Sequence, residues 1–133
     1  DSYNANPGSM AAAIDTLLLA DGERWLVLGD MAELGDDARA LHADVGARAR
    51  ARGVDRLLAV GPFGTATVEA FGANGEHFPD KPALIAALKA RLHAGVTCLV
   101  KGSRSAGMEE VVEALGSHAA SMQQHQGRAF DAA

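Results

Sequence analysis

Short, nearly continuous apolar runs alternate with longer segments whose apolar residues recur every three or four positions. That alternation constrains the fold more than any other feature of the chain. The runs are residues 25–28 (WLVL), 57–60 (LLAV) and 97–100 (TCLV). Around them lie the stripes Met10/Ile14/Leu17/Leu18, Ala38/Leu41/Val45/Ala49, Leu84/Ile85/Leu88/Leu92 and Met108/Val111/Val112/Leu115. An unbroken apolar run reads as a strand buried on both faces, and a three-four spacing reads as one face of a helix. A further short helix is expected over residues 65–71 and a brief strand near His77 and Phe78. Strands and helices in strict alternation imply right-handed βαβ crossovers. The expected fold class is therefore α/β: a Rossmann-like doubly wound, mostly parallel sheet with helices on both faces. One domain is expected over residues 1–116. From Ser117 the pattern dissolves into Ser, Gln, His and Ala, so residues 117–133 are expected to form a weak helix or a loose tail.

A chain of 133 residues can bury a core without staples. Its net charge of −5 argues against a nucleic-acid or general polyanion partner, so any bound anion needs a local cationic cluster. The single cysteine, Cys98, sits in an apolar run; it allows no internal disulfide and reads as a small buried hydrophobe. No 18-residue apolar stretch and no signal-like opening is present, so no membrane span and a cytoplasmic location are expected. The abrupt, motif-like start at Asp1 suggests a fragment of a longer polypeptide.

In doubly wound sheets ligands bind beyond the carboxyl ends of the strands, and the unusual polar residues cluster at those ends. Lys101-Gly102-Ser103-Arg104 lies between a strand-like run and a helix-like stripe. Two cations, a glycine that permits close backbone approach and a new helix N-terminus beyond Ser103 together make an anion site; the plainer reading is a solvated basic turn. Gly29-Asp30-Met31-Ala32-Glu33-Leu34-Gly35 carries two carboxylates three residues apart, suited to an ammonium group or a metal, or simply a pair of surface acids. The opening Asp1-Ser2-Tyr3-Asn4-Ala5-Asn6-Pro7-Gly8-Ser9-Met10 combines amides that can read an adenine edge or ribose with a natural turn and helix cap.

Taken in order, DSYNANPGSM, LGDMAELG and KGSRSAGME resemble the C-terminal domain of the Mur ligases. The YNANP form points to the dipeptide-adding branch of that family. The resemblance covers residues 1–115, nearly the whole chain. It implies an ATP-dependent peptide ligase of peptidoglycan precursor synthesis, which adds D-alanyl-D-alanine to UDP-N-acetylmuramoyl-tripeptide through an acyl phosphate. It also implies N-terminal and central domains of the same polypeptide as partners, with ATP and Mg bound mainly by the central domain. Asp30, Glu33, Lys101, Ser103 and Arg104 are then expected to bind substrate, and Asp1, Tyr3, Asn4 and Asn6 to contact nucleotide. No catalytic residue and no metal ligand is expected within this domain alone. No G-x-x-x-x-G-K-[ST] phosphate loop occurs, so the domain by itself is expected to be inactive.

A stand-alone Rossmann-like module binding a nucleotide or phosphate through residues 101–104 is the competing reading, and a receiver-like domain using Asp30 is a weaker one. His42, His77, His93, His118 and His125 lack metal-ligand spacing, and His42 is expected on a helix surface. Ser103 lacks the partners of a nucleophile. Arg48, Arg50 and Arg52 suit a helix C-terminus, and Trp25 is expected in the core.

Overall fold

The computed structural model describes residues 5–116, 119–123 and 127–132, with side-chain contacts within residues 5–116. The helices are α1 (Pro7–Leu17), α2 (Ala38–Arg52), α3 (Gly64–Phe71), α4 (Lys81–Arg91) and α5 (Glu109–Leu115). The strands are β1 (Glu23–Leu28), β2 (Arg56–Val60), β3 (Gly75–Phe78), β4 (Val96–Lys101), β5 (Ala119–Gln123) and β6 (Gly127–Ala132). They form one six-stranded sheet in the order β3-β2-β1-β4-β6-β5. β1 to β4 run parallel to one another, with β1 between β2 and β4.

Each central strand is apolar because it feeds two cores. Leu26 and Leu28 of β1, Leu57 and Ala59 of β2 and Leu99 of β4 pack with Met10, Ile14, Val45, Ala49 and Phe71 from α1, α2 and α3. Their neighbours Trp25, Val27, Leu58, Val60, Cys98 and Val100 pack with Leu84, Leu88, Val111 and Val112 from α4 and α5. Adjacent side chains on a strand point to opposite faces, so a sheet covered on both sides needs an unbroken apolar run. The doubly wound expectation holds. Burial pushes the Cys98 thiol up to about 12, so it remains a neutral hydrophobe.

The expectation for residues 117–133 is corrected where the structure describes them. β6 pairs antiparallel with β4, from Val96 opposite Ala132 to Lys101 opposite Gly127, and β5 pairs with β6. The physical reason lies in β4: β1 covers one of its edges, and the other offers N–H and C=O groups that a further strand satisfies. Backbone pairing of that kind leaves little trace in side-chain periodicity.

Helix ends follow local chemistry. Asn6 caps α1 by accepting from the Ser9 N–H at 2.9 Å, while the Ser9 hydroxyl accepts from the Asn6 N–H at 2.9 Å, and Pro7 opens the helix. Asp80 caps α4 through the Ala83 N–H at 2.8 Å. α2 stops at Gly53, which adopts a left-handed φ of 90°. Arg48 and Arg52 in its final turns reach Asp15 of α1, at 3.7 and 3.1 Å.

α2 and α3 pack closely enough to demand a glycine. A Cβ on Gly46 would stand 2.0 Å from the Thr67 carbonyl oxygen. Gly46→Ala is therefore expected to destabilise the fold by about 3 kcal/mol through overpacking. The exposed Ala47→Gly one position on should lose only about 1 kcal/mol of helix propensity. Urea denaturation of the two variants measures the difference.

Candidate functional site

β1 and β4 are neighbours, yet the chain leaves them towards opposite faces: β1 leads to α2 on one side and β4 to α5 on the other. A crevice beyond their carboxyl ends is the consequence. The two segments there, Gly29-Asp30 and Lys101-Gly102-Ser103, are interlocked. Gly29 N–H donates to the Lys101 carbonyl at 2.9 Å, and Ser103 N–H donates to the Asp30 carbonyl at 3.0 Å. A Cβ on Gly102 would lie 3.1 Å from Gly29 Cα, and one on Gly29 would lie 2.8 Å from Met108 Cγ. Glycine at both positions lets the loops approach to backbone contact.

Ser103 completes the lock. It is 1% exposed; its hydroxyl accepts from the Ala32 N–H at 2.7 Å and faces the Ala5 carbonyl at 3.5 Å. This one side chain ties the loop after β4 to the loop after β1 and to the segment before α1. Its polar atoms are directed into the protein.

Asp30 lies in the wall of an open cleft of about 410 Å³, together with Gly61, Pro62, Asp80, Lys81 and Ser105. Its carboxylate accepts from the Phe63 N–H at 3.2 Å, while Oδ1 is buried without a hydrogen-bond partner among the described residues. Gly61, at φ 108°, makes room for it, since a Cβ there would stand 2.5 Å from Oδ1. Burial raises the carboxyl above its ordinary value, against the lowering effect of the Phe63 N–H and of His42 and His77. Glu33 stands apart from this pocket. It is exposed, adopts a left-handed φ of 60°, and makes no hydrogen bond or ion pair with a described residue. The two acids of the sequence motif thus occupy different environments.

Lys101 ends β4 and is 6% exposed, and its ammonium group makes no hydrogen bond or ion pair with any described residue. Burial lowers its ammonium group below the usual lysine value. It follows Leu99 by two positions, which places it on the α1 face of the sheet. Arg104 is exposed at the start of a 3-10 turn, Arg104–Ala106.

That turn corrects one sequence expectation. No α-helix begins directly beyond Ser103; α5 starts at Glu109, after Gly107 at φ 63°, and its first turn carries Glu109 and Glu110. Carboxylates there, rather than a bound anion, complement the helix dipole. The turn is held instead by Lys81 of α4, which donates to the Ala106 carbonyl at 3.0 Å and lies 3.3 Å from Glu110. Nothing in the sequence distinguishes Lys81 from an ordinary first-turn lysine.

Of the nucleotide candidates, Asn6 is described, and its amide oxygen is committed to capping α1. Asp1, Tyr3 and Asn4 lie outside the described residues, as do His118 and His125. His42 is corrected from surface to core: it is 3% exposed. The stripe through Ala38, Val45 and Ala49 has two candidates for its missing member, and the hydropathy of Leu41 pointed to the wrong one. His77 is half-buried, with Nε2 2.8 Å from the Gly61 carbonyl. No group of three or more His, Cys, Asp or Glu among the described residues is arranged to hold a metal. No described helix is long and apolar enough to cross a membrane.

A doubly wound domain with its polar loops locked at the β1–β4 junction defines a class, and the comparisons give that class its family. The family model "Mur ligase, glutamate ligase domain" matches residues 1–104, and the chain belongs to this family. It is 56% identical over 117 residues to the UDP-N-acetylmuramoyl-tripeptide–D-alanyl-D-alanine ligase of Escherichia coli, covering 86% of this chain and 26% of the relative. A MurF crystal structure from Acinetobacter baumannii matches with a TM-score of 0.75 at 35% identity, over 85% of this chain and 26% of that one. The MurF ligase from Thermotoga maritima, solved in complex with ADP, matches with a TM-score of 0.70 at 27% identity, over 84% of this chain and 26% of that one. The chain spans about a quarter of the length of these relatives.

The burial of Asp30 has a consequence for stability. A carboxyl raised in the folded state binds its proton more tightly there than in the unfolded chain. Its contribution is therefore most favourable below the ordinary value of 3.8 and is lost as pH rises through the folded value. Asp30→Asn keeps an acceptor for the Phe63 N–H and removes the buried charge. Its melting temperature at pH ~7 is expected to equal or exceed that of the parent, and the advantage should vanish below pH ~3.8. Thermal unfolding across that range tests the sign.

Proposed function

We propose that this chain is the C-terminal domain of an ATP-dependent ligase that joins D-alanyl-D-alanine to UDP-N-acetylmuramoyl-tripeptide. In that reaction the tripeptide carboxylate attacks the γ-phosphorus of ATP, giving an acyl phosphate and ADP. The dipeptide amine then attacks the acyl carbon, phosphate leaves, and the amine loses a proton. The domain's share is to close over the central and N-terminal domains of the same polypeptide and to hold the incoming dipeptide. ATP enters the proposal through the relative solved with ADP. Mg, like ATP, is assigned mainly to the central domain of the same polypeptide. Because the proposed reaction consumes ATP and a UDP-linked substrate, its proposed location is the cytoplasm.

The observation that carries this reading is a half-buried carboxylate and a buried ammonium group, of opposite charge, beside the β1–β4 junction. Asp30 and Lys101 are both desolvated, and neither forms an ion pair with the other. A dipeptide brings an ammonium and a carboxylate of its own. Asp30 in the cleft wall suits the ammonium, which must still shed a proton before attack. Lys101 and the exposed Arg104 suit an anion, either the dipeptide carboxylate or the phosphoryl group in transfer. Glu33 at the exposed edge adds negative potential for the arriving amine. Ser103 acts inwardly, holding the two loops at the spacing these contacts need. Asn6, with Asp1, Tyr3 and Asn4, is assigned to the nucleotide side of the closed interface.

In the full-length ligase, Asp30→Asn is expected to raise the KM for the dipeptide more than that for ATP. Loss of one charge-assisted contact is worth about 1.5–3 kcal/mol, or roughly 10- to 100-fold in rate. Lys101→Met and Arg104→Ala should each lower kcat/KM by that order. Lys101→Met should keep or raise the melting temperature, since it removes a desolvated charge and preserves the stem. Steady-state kinetics with both substrates varied, read beside thermal unfolding, decides the matter. Wild-type kinetics in both variants would remove the anion assignment.

A further inference from the structure

The segment that presents Asp30 is held by a side chain that the proposed chemistry does not itself require. His42 of α2 is buried, with Nδ1 2.7 Å from the Ala38 carbonyl and Nε2 3.0 Å from the Met31 N–H. A carbonyl only accepts and an amide N–H only donates. The two contacts therefore assign one form of the ring: proton on Nδ1, lone pair on Nε2, no net charge. Phe63 stacks on the imidazole, with centroids 5.0 Å apart and 27° between the planes, and the Phe63 N–H holds the Asp30 carboxylate. His42 and Phe63 thus grip the Asp30–Met31 segment from two sides.

A second acceptor waits beside Nε2. Asp30 Oδ1 lies 3.9 Å away, buried and without a hydrogen-bond partner among the described residues. His42 and Asp30 also share the lining of an enclosed cavity of about 10 Å³, room for one water at most. The other groups facing the ring are uncharged: Met10 from α1 and Thr67 from α3 line the same cavity. A further titratable group, His77 of β3, bears on Asp30.

We propose that neutral His42 is a positioning residue for the incoming amine, and that its protonation shifts the Nε2 contact from the Met31 N–H to Asp30 Oδ1. This rests on the assignment of Asp30 to the dipeptide ammonium made above. A protonated ring places an N–H against the Met31 N–H, two donors that cannot bond to each other. A movement of about 1 Å would bring Nε2–H to the spacing of a charge-assisted hydrogen bond with Asp30. The carboxylate is then neutralised by the protein's own imidazolium, and Met31 is released from its anchor. Both changes weaken capture of the amine as pH falls. Lys101 and the nucleotide side are untouched.

The test uses the full-length ligase, with kcat/KM for D-alanyl-D-alanine and for ATP followed from about pH 5.5 to 9. His42→Gln supplies an amide oxygen for the Met31 N–H but takes up no proton there; His42→Leu supplies neither. Above pH ~8 the Gln variant should stay within about threefold of the parent, while the Leu variant raises the dipeptide KM by about tenfold with the ATP KM unchanged. On the acid side the parent should lose dipeptide kcat/KM through one more ionisation than His42→Gln. Protonation of the free dipeptide is common to both and cancels. The ¹⁵N–¹H correlations of His42 in the parent should show protonated Nδ1 at high pH. If His42→Gln keeps the parent's full acid limb, or His42→Leu raises both KM values equally, the proposal is overturned. Asp30→Asn run in parallel separates the two failures. A raised dipeptide KM in Asp30→Asn with parent-like His42 variants sinks only the role of His42. An unchanged dipeptide KM in Asp30→Asn sinks the site assignment and this inference together.

Discussion

The backbone contact between Gly29 and Gly102 is the constraint on which the rest of the site depends. Parallel pairing of β1 with β4 runs from Glu23 opposite Val96 to Leu28 opposite Lys101 and continues beyond the strands through the Gly29 and Ser103 amides. Only residues without Cβ atoms permit that continuation under Met108. Once it is made, the Ser103 hydroxyl falls on the Ala32 N–H, and the loop after β1 has a fixed course. Asp30 is then directed towards Gly61 and the Phe63 N–H. A single close approach at the switch point thereby aligns the ends of three strands.

The same packing leaves charge where a stable fold would not place it. Asp30 and Lys101 each lose hydration, and neither is compensated by the other. Elsewhere the ionic contacts are ordinary exposed pairs such as Glu76–Arg91 at 2.7 Å and Arg39–Glu69 at 3.8 Å, of small energetic value. Uncompensated buried charge is tolerated at functional sites because a ligand of opposite charge can supply the missing partner. The contrast between the quiet surface pairs and the two desolvated groups is what marks this edge of the sheet.

Much of the fold was legible in the sequence. The runs at 25–28, 57–60 and 97–100 became β1, β2 and β4, and the turn and cap read at Pro7-Gly8-Ser9 opens α1. These signals survive in one dimension because burial on both faces and helix capping act through near neighbours. The strands β5 and β6 were not legible, since their formation depends on the vacant edge of β4 rather than on their own composition. His42 was missed because helical spacing admits both position 41 and position 42 to the inner stripe. Only packing against Phe63 and Met31 selects between them.

For the site, the sequence by itself determined which residues gather at one edge. Strand order in a doubly wound sheet brings every β-to-α loop to the same side, so GDMAELG and KGSR had to meet there. Tertiary structure alone decided what each does. It turned Ser103 inward, separated Asp30 from Glu33, replaced the helix start beyond Ser103 with a 3-10 turn, and set a neutral histidine behind Asp30. Identity and spacing specify the chemistry a side chain can perform. Direction, desolvation and hydrogen-bond partners come from residues far away in the chain, and they specify which part of that chemistry it is left to do.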